Sequence, residues 1–166
     1  MFVKPTIIAI TGTPGTGKST LAKRLQKELG FKRIDLSRYY KTFSEGYDAK
    51  KRCYIVDIQK LKQFLLKKVK ENEKIICDSH ISHLLSQKMI SVCIVLTCSN
   101  LKELEKRLKK RKYSAAKVRE NLDAEIFQVC LIEAKERGHK IIVLDTSKNL
   151  NTKELLKTII SVRKSL

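Results

Sequence analysis

The 166-residue chain predicts an α/β fold in three layers, a five-stranded parallel β-sheet between two sets of helices. Three observations predict it. Short apolar runs recur along the sequence, each too brief for a helix, and between them lie longer segments whose apolar residues fall at helical spacing. Strands separated by helices pair in parallel and are covered on both faces. An apolar content of 42% is enough for one sizeable core.

The first strand spans Thr6–Thr11 and carries Ile7, Ile8, Ala9 and Ile10. A helix follows over Lys18–Leu29, with Leu21, Ala22, Leu25 and Leu29 on one face. A short second strand, Lys32–Asp35, leads into a polar stretch through Tyr39, Tyr40 and Gly46-Tyr47-Asp48. Asp57 then reads as the N-cap of a helix with Ile58, Leu61, Phe64 and Leu65 on one face. Strands three and four are Lys74–Asp78 and Ser91–Thr97. Asn100 to Glu103 reads as a capping box opening a helix with Leu104 and Leu108 inside. Past a basic cluster from Arg107 to Lys112, a single long helix is expected over Ser114–Arg137, closed by Gly138. Strand five, Lys140–Leu144, and a helix over Thr152–Lys164 complete the series. No repeat, linker or low-complexity tract divides the chain, so residues 1–166 read as one domain.

The first strand runs straight into Gly12-Thr13-Pro14-Gly15-Thr16-Gly17-Lys18-Ser19, which meets GxxxxGK[ST] at every fixed position. Successive backbone N–H groups can wrap a phosphate only where the chain curls tightly with no side chains in the way, which the glycines permit. Lys18 opens a helix whose unpaired amides and dipole favour an anion, and its ammonium adds a full charge. Ser19 offers a hydroxyl to magnesium. The chain therefore reads as a P-loop NTPase fold.

At the end of the third strand, Asp78 delivers a carboxylate to the sheet's C-terminal edge, where it can act with Ser19 as a second magnesium contact or serve as an ordinary helix cap. His80, two residues on, is placed to orient or deprotonate a water, to touch the phosphates, or to be structural. A GTP-binding switch is excluded, since the chain has no NKxD and no DxxG after the third strand. A helix junction instead carries Arg107, Arg111 and Lys112. Arg111 is the candidate to reach over a transferring phosphoryl group from a lid.

The formal charge is +19, from 36 Lys and Arg against 17 Asp and Glu. Such an excess suits nucleic acid, and it equally suits a solvated lysine coat. The five cysteines show no CxxC pair and read as reduced core thiols. His80 and His83 lack the further pair that zinc needs. No stretch reaches the length of a membrane span, and Met1 to Pro5 lead directly into the first strand, so the expected location is cytoplasmic.

Four segments carry a resemblance: Thr11 to Thr20, Gly46-Tyr47-Asp48, Asp78-Ser79-His80 and Glu125-Ile126-Phe127-Gln128-Val129. Together they resemble the adenylate kinase isoenzyme six family of archaea and the eukaryotic nucleus, over nearly the whole chain and in the same order. The resemblance implies an adenylate-kinase-like core with a monophosphate-binding segment at residues 36–59 and a short lid at 110–120. It implies the reaction ATP + AMP to two ADP with Mg2+, a weak ATPase, and a role in maturing the small ribosomal subunit beside rRNA and a ribosomal protein of the S11 (eukaryotic S14) type. Gly15, Gly17, Lys18, Ser19 and Thr20 match the family's ATP-phosphate contacts, Arg111 the lid arginine, and Lys148 a lysine near the adenine. Asp78 and His80 match its DxH element tied to magnesium and hydrolysis. Lys112 stands where the family has glycine, and Asp35-Leu36-Ser37-Arg38 departs from the family pattern, with Arg38 a candidate acceptor-phosphate contact. Two functions follow: a nucleoside monophosphate kinase, or a ribosome-assembly ATPase with no metabolic kinase role.

Overall fold

A computed structural model describes residues 6–69, 73–148 and 151–164. Residues 1–5, expected to lead into the first strand, lie outside them. Five strands, β1 (Thr6–Gly12), β2 (Lys32–Asp35), β5 (Lys74–Asp78), β6 (Val92–Thr97) and β7 (Ile141–Asp145), form one sheet in the order β2-β5-β1-β6-β7, every pair parallel. Strand order reverses around β1. The crevice beyond its C-terminal end is where a ligand is expected in such a sheet.

Alternate residues of the central strands supply two cores. Ile8, Ile10, Ile76, Ile94 and Leu96 pack against α1 (Lys18–Leu29) through Leu21, Ala22 and Leu25, and against α6 (Thr152–Lys164) through Leu155 and Ile159. On the other face, Ile7, Ala9, Ile75, Cys93 and Val95 meet α2 (Ile58–Lys68) through Leu61, Phe64 and Leu65, and also Leu131 and Ala134. The three-layer α/β/α arrangement stands as the sequence implies. Asp57 caps α2, its side chain accepting from the amides of Gln59 at 2.7 Å and Lys60 at 3.0 Å.

Three local expectations change. The polar stretch after β2 is folded: a 3-10 helix over Leu36–Phe43 is followed by a hairpin of β3 (Ser44–Asp48) and β4 (Cys53–Val56). The single helix expected over Ser114–Arg137 is two, α4 (Ala115–Ile126) and α5 (Val129–Glu136), broken where Gln128 turns left-handed at φ 51°. At the start of α3 (Leu101–Lys110), Asn100 caps the amide of Glu103 at 3.1 Å. The Glu103 carboxylate accepts from Arg107 instead of completing a box. Of the cysteines, Cys77, Cys93 and Cys98 are buried core thiols, whereas Cys53 and Cys130 are half-buried beside the cleft described next.

Candidate active site

A cleft of about 1030 Å³ opens at the C-terminal edge of β1 and β5. The phosphate loop forms one wall. Gly12 sits at φ 137°, and a Cβ there would overlap the carbonyl oxygen of Leu96 on the neighbouring strand. Gly15 and Gly17, both at φ 90°, complete the curl in a region that L side chains rarely enter. Gly17 is the N-cap of α1 and supplies no side-chain cap, so the first amides of that helix are left for an anion.

Lys18 folds back over this loop, donating to the carbonyls of Gly12 at 2.6 Å and Thr13 at 2.9 Å. Burial lowers its pKa to about 8, with the Arg111 charge adding to the effect and Asp78, among others, opposing it. An ammonium so held is one that an incoming polyphosphate stabilises.

Asp78 is 2% exposed and accepts from three donors, leaving acceptor capacity on its oxygens. The Ser19 hydroxyl donates to its Oδ2 at 3.0 Å, and Arg33 from β2 grips it with two bonds of 2.9 Å. The reason lies in strand register. Asp35 pairs directly with Asp78 across β2 and β5, so two carboxylates stand side by side and require a shared cation. Arg33 supplies it, reaching Asp35 Oδ2 at 3.2 Å as well. Ser19 and Asp78 offer oxygen donors at the loop's edge, the chemistry that magnesium takes, and because the Ser19 proton points to Asp78 its lone pairs stay free. The pair fits a magnesium site.

His80 is solvent-accessible yet set deep in the concave wall. Desolvation by the surrounding cleft wall, with the charge of Lys18 adding, lowers its imidazole to about 4 and favours the neutral form near pH 7. Its Nδ1 lies 3.1 Å from the hydroxyl of Tyr40, which in turn lies 2.6 Å from the Ser79 hydroxyl. His83 is a structural neighbour: fully enclosed, it bridges the Thr11 hydroxyl and the Glu133 carboxylate, each at 2.6 Å.

Across the cleft stand the 3-10 helix and the hairpin. Tyr40, Tyr47, Tyr54 and Arg52 line it, with the Tyr47 and Tyr54 rings edge to face at 5.1 Å. Arg111 and Lys117 close a third side. Arg111 ends α3 and begins the turn into α4, and Lys112 in that turn is left-handed at φ 58°, which accounts for the glycine of the resembling family at that place. Leu104, Leu108 and Val118 pack beneath the turn with Cys98, whose amide donates to the buried Glu125 at 2.6 Å.

Gly15, Gly17, Lys18, Ser19, Asp78, His80 and Arg111 therefore line one cleft. Thr20 is exposed just outside it, on α1. Lys148 is also outside, on the exposed loop after β7, 3.9 Å from Asp145. Burial alone would raise the Asp145 carboxyl, but hydrogen bonds from Ser147 and Ser99 hold it well below the usual range and tie that loop to the end of β6. Arg107 faces Glu103 and Thr146, away from Arg111. Arg38 is largely exposed and lies 3.7 Å from Asp35. Tyr47 lies in the Gly46-Tyr47-Asp48 segment already marked in the sequence, whereas Arg33, Tyr40, Arg52 and Tyr54 had not been singled out as site residues. The i, i+2 pair Arg33 and Asp35, on one face of a strand, was the available signal.

The AAA domain family matches residues 8–128. A putative adenylate kinase of Methanocaldococcus jannaschii is 45% identical over 138 residues, 81% of this chain and 75% of that one. The adenylate kinase isoenzyme 6 homolog of Schizosaccharomyces pombe is 38% identical over 140 residues, 83% of this chain and 79% of its own. This chain belongs to the adenylate kinase isoenzyme 6 family. It is thus an adenylate-kinase-like nucleotide kinase, a phosphotransferase by family. The fold extends further: shikimate kinase from Acinetobacter baumannii aligns with TM-score 0.59 at 13% identity, covering 99% of this chain and 95% of that one. Among the described residues no helix is long and apolar enough to cross a membrane.

Proposed function

We propose that the protein transfers the γ-phosphoryl group of ATP to AMP, forming two ADP, with Mg2+ as cofactor. The observation that carries the reading is that one cleft joins the phosphate loop to an aromatic wall on the 36–57 segment, with Arg111 beside both. The backbone amides of the loop hold the donor phosphates, and Lys18 stands against the charge that spreads over the moving group's oxygens. Ser19 and Asp78 would hold the magnesium ion, which would supply positive charge to the donor phosphates. Tyr47 and Tyr54 offer ring surface to the acceptor base, with Arg52 beside them for its phosphate. Residues 110–120 act as the lid, swinging on the turn at Arg111 to Ser114 to bring the guanidinium over the transferring group and keep water out. In this reading Lys148, on the loop after β7, flanks the adenine of ATP.

A weaker ATPase activity fits His80. A neutral imidazole with a lowered pKa is a poor base, so its part is to accept a hydrogen bond from a water and aim it. The +19 charge supports the second reading, an assembly ATPase that meets rRNA and a ribosomal protein of the S11 (S14) type in maturing small subunits in the cytoplasm.

Measuring ADP and free phosphate from Mg·ATP, with and without each nucleoside monophosphate, separates the two. The expected result is ADP formation stimulated by AMP without matching phosphate release, lowered about 10²–10³-fold or more by Lys18→Ala. Phosphate release indifferent to every monophosphate would leave only the ATPase.

A further inference from the structure

The Arg33 guanidinium does not line the cleft, yet it binds two residues that do. Its side chain is 11% exposed, closes on Asp78 with two bonds of 2.9 Å and reaches Asp35 at 3.2 Å. Asp78 is the carboxylate to which Ser19, on the phosphate loop, donates at 3.0 Å. Asp35 is the N-cap of the 3-10 helix that begins the acceptor arm, accepting from the Ser37 amide at 3.1 Å. One guanidinium thus joins the helix after the phosphate loop to the first turn of the segment facing it. The route is continuous: Ser19, Asp78, Arg33, Asp35, Ser37.

We propose that Arg33 is a positioning residue that couples nucleotide binding at the phosphate loop to the order of the acceptor arm. The planar fork suits this work. It engages both oxygens of Asp78 and still presents a donor to Asp35, which a single ammonium cannot match in geometry. Anything that fixes Ser19 fixes Asp78, and through the fork it fixes the cap of the 3-10 helix. Tyr40, a second link among the described residues between the arm and the 78–80 loop, meets Ser79 and His80 and bypasses Ser19. The Arg33 route is therefore the one of these two that starts from the phosphate-loop helix.

The inference rests on nucleotide binding at the phosphate loop and not on the choice of AMP. Hydrogen–deuterium exchange of the full chain with Mg·ADP tests it without any acceptor. In the wild type, Mg·ADP is expected to slow exchange at residues 13–22 and also at 36–43. In Arg33→Gln the slowing at 13–22 persists and that at 36–43 is lost, while Arg33→Lys, which keeps the charge but not the fork, recovers part of it. Asp35→Asn keeps the cap oxygen and removes the charge that Arg33 meets, so it is expected to behave as Arg33→Gln and serves as the test should Arg33→Gln not fold. In turnover, Asp35→Asn is expected to raise the acceptor KM about tenfold while the ATP KM changes less than about twofold. Slowing at 36–43 that is equal in the wild type and these variants, or absent from the wild type while 13–22 is protected, would overturn the proposal. Absence of protection at 13–22 in the wild type would instead strike at nucleotide binding itself.

Discussion

On the phosphate-loop side of the cleft the surface is backbone: the curl of Gly12, Gly15 and Gly17 and the uncapped amides of α1, with Lys18 laid across them. On the facing side, the proposed acceptor wall, it is side chain: Tyr40, Tyr47, Tyr54 and Arg52 on a short 3-10 helix and a two-stranded hairpin. Backbone recognition tolerates no Cβ and leaves one readable spacing in the sequence. Side-chain recognition can be met by many residue sets, and a hairpin of five and four residues standing off the main sheet has little core to hold it.

Three changes break that comparison or sharpen it. The largest effect is expected from Gly12→Ala, where both the conformation and the space forbid a side chain. A loss of roughly 3 kcal/mol or more in stability, read from denaturant unfolding, together with loss of nucleotide binding, is the expected outcome. Tyr47→Ala comes next and should touch one wall only. It removes an exposed ring that lines the cleft, so the acceptor KM should rise about tenfold, within the range for one stacked base, with the ATP KM little changed. Equal rises in both would show that the two walls are not separate. The smallest effect is one of pH. Burial holds the Lys18 pKa at about 8 in the free protein, and bound phosphates favour its charged form and raise it. Nucleotide affinity should then be full below about pH 8 and fall as pH rises through it, by up to about tenfold per unit, with proton uptake on binding visible by calorimetry in buffers of different ionisation enthalpy. An affinity flat between pH 7 and about 9 would show that Lys18 is fully charged before nucleotide arrives.

The same contrast governs what could be read from the sequence. Ile7 to Ile10 followed by Gly12 to Ser19 named the first strand, the loop and its ligand class, because local chemistry there admits one conformation. Leu21, Ala22 and Leu25, and Leu61, Phe64 and Leu65, marked the helix faces by spacing, and Asp57 marked a cap. The break at Gln128 was hidden, since Ile126 and Val129 continue the helical spacing of Val118 and Leu122 although the structure leaves them 51% and 37% exposed. Tyr39 to Asp57 carries no strong periodicity, so its 3-10 helix and hairpin depend on packing by Phe43 and Phe64 that only the folded chain brings together. Arg33 was overlooked for a related reason, although its i, i+2 spacing from Asp35 was a signal. In a chain with 36 basic residues, one arginine gains meaning only when strand register places Asp35 beside Asp78.

The central claim is that a single cleft seats donor and acceptor together. A bisubstrate analogue, two adenosines joined through a polyphosphate chain, tests it most directly. One molecule is expected to bind per chain, more tightly than ATP or AMP alone, and to compete with both in steady-state kinetics. Competition with ATP alone, at an affinity no better than that of ATP, would contradict it.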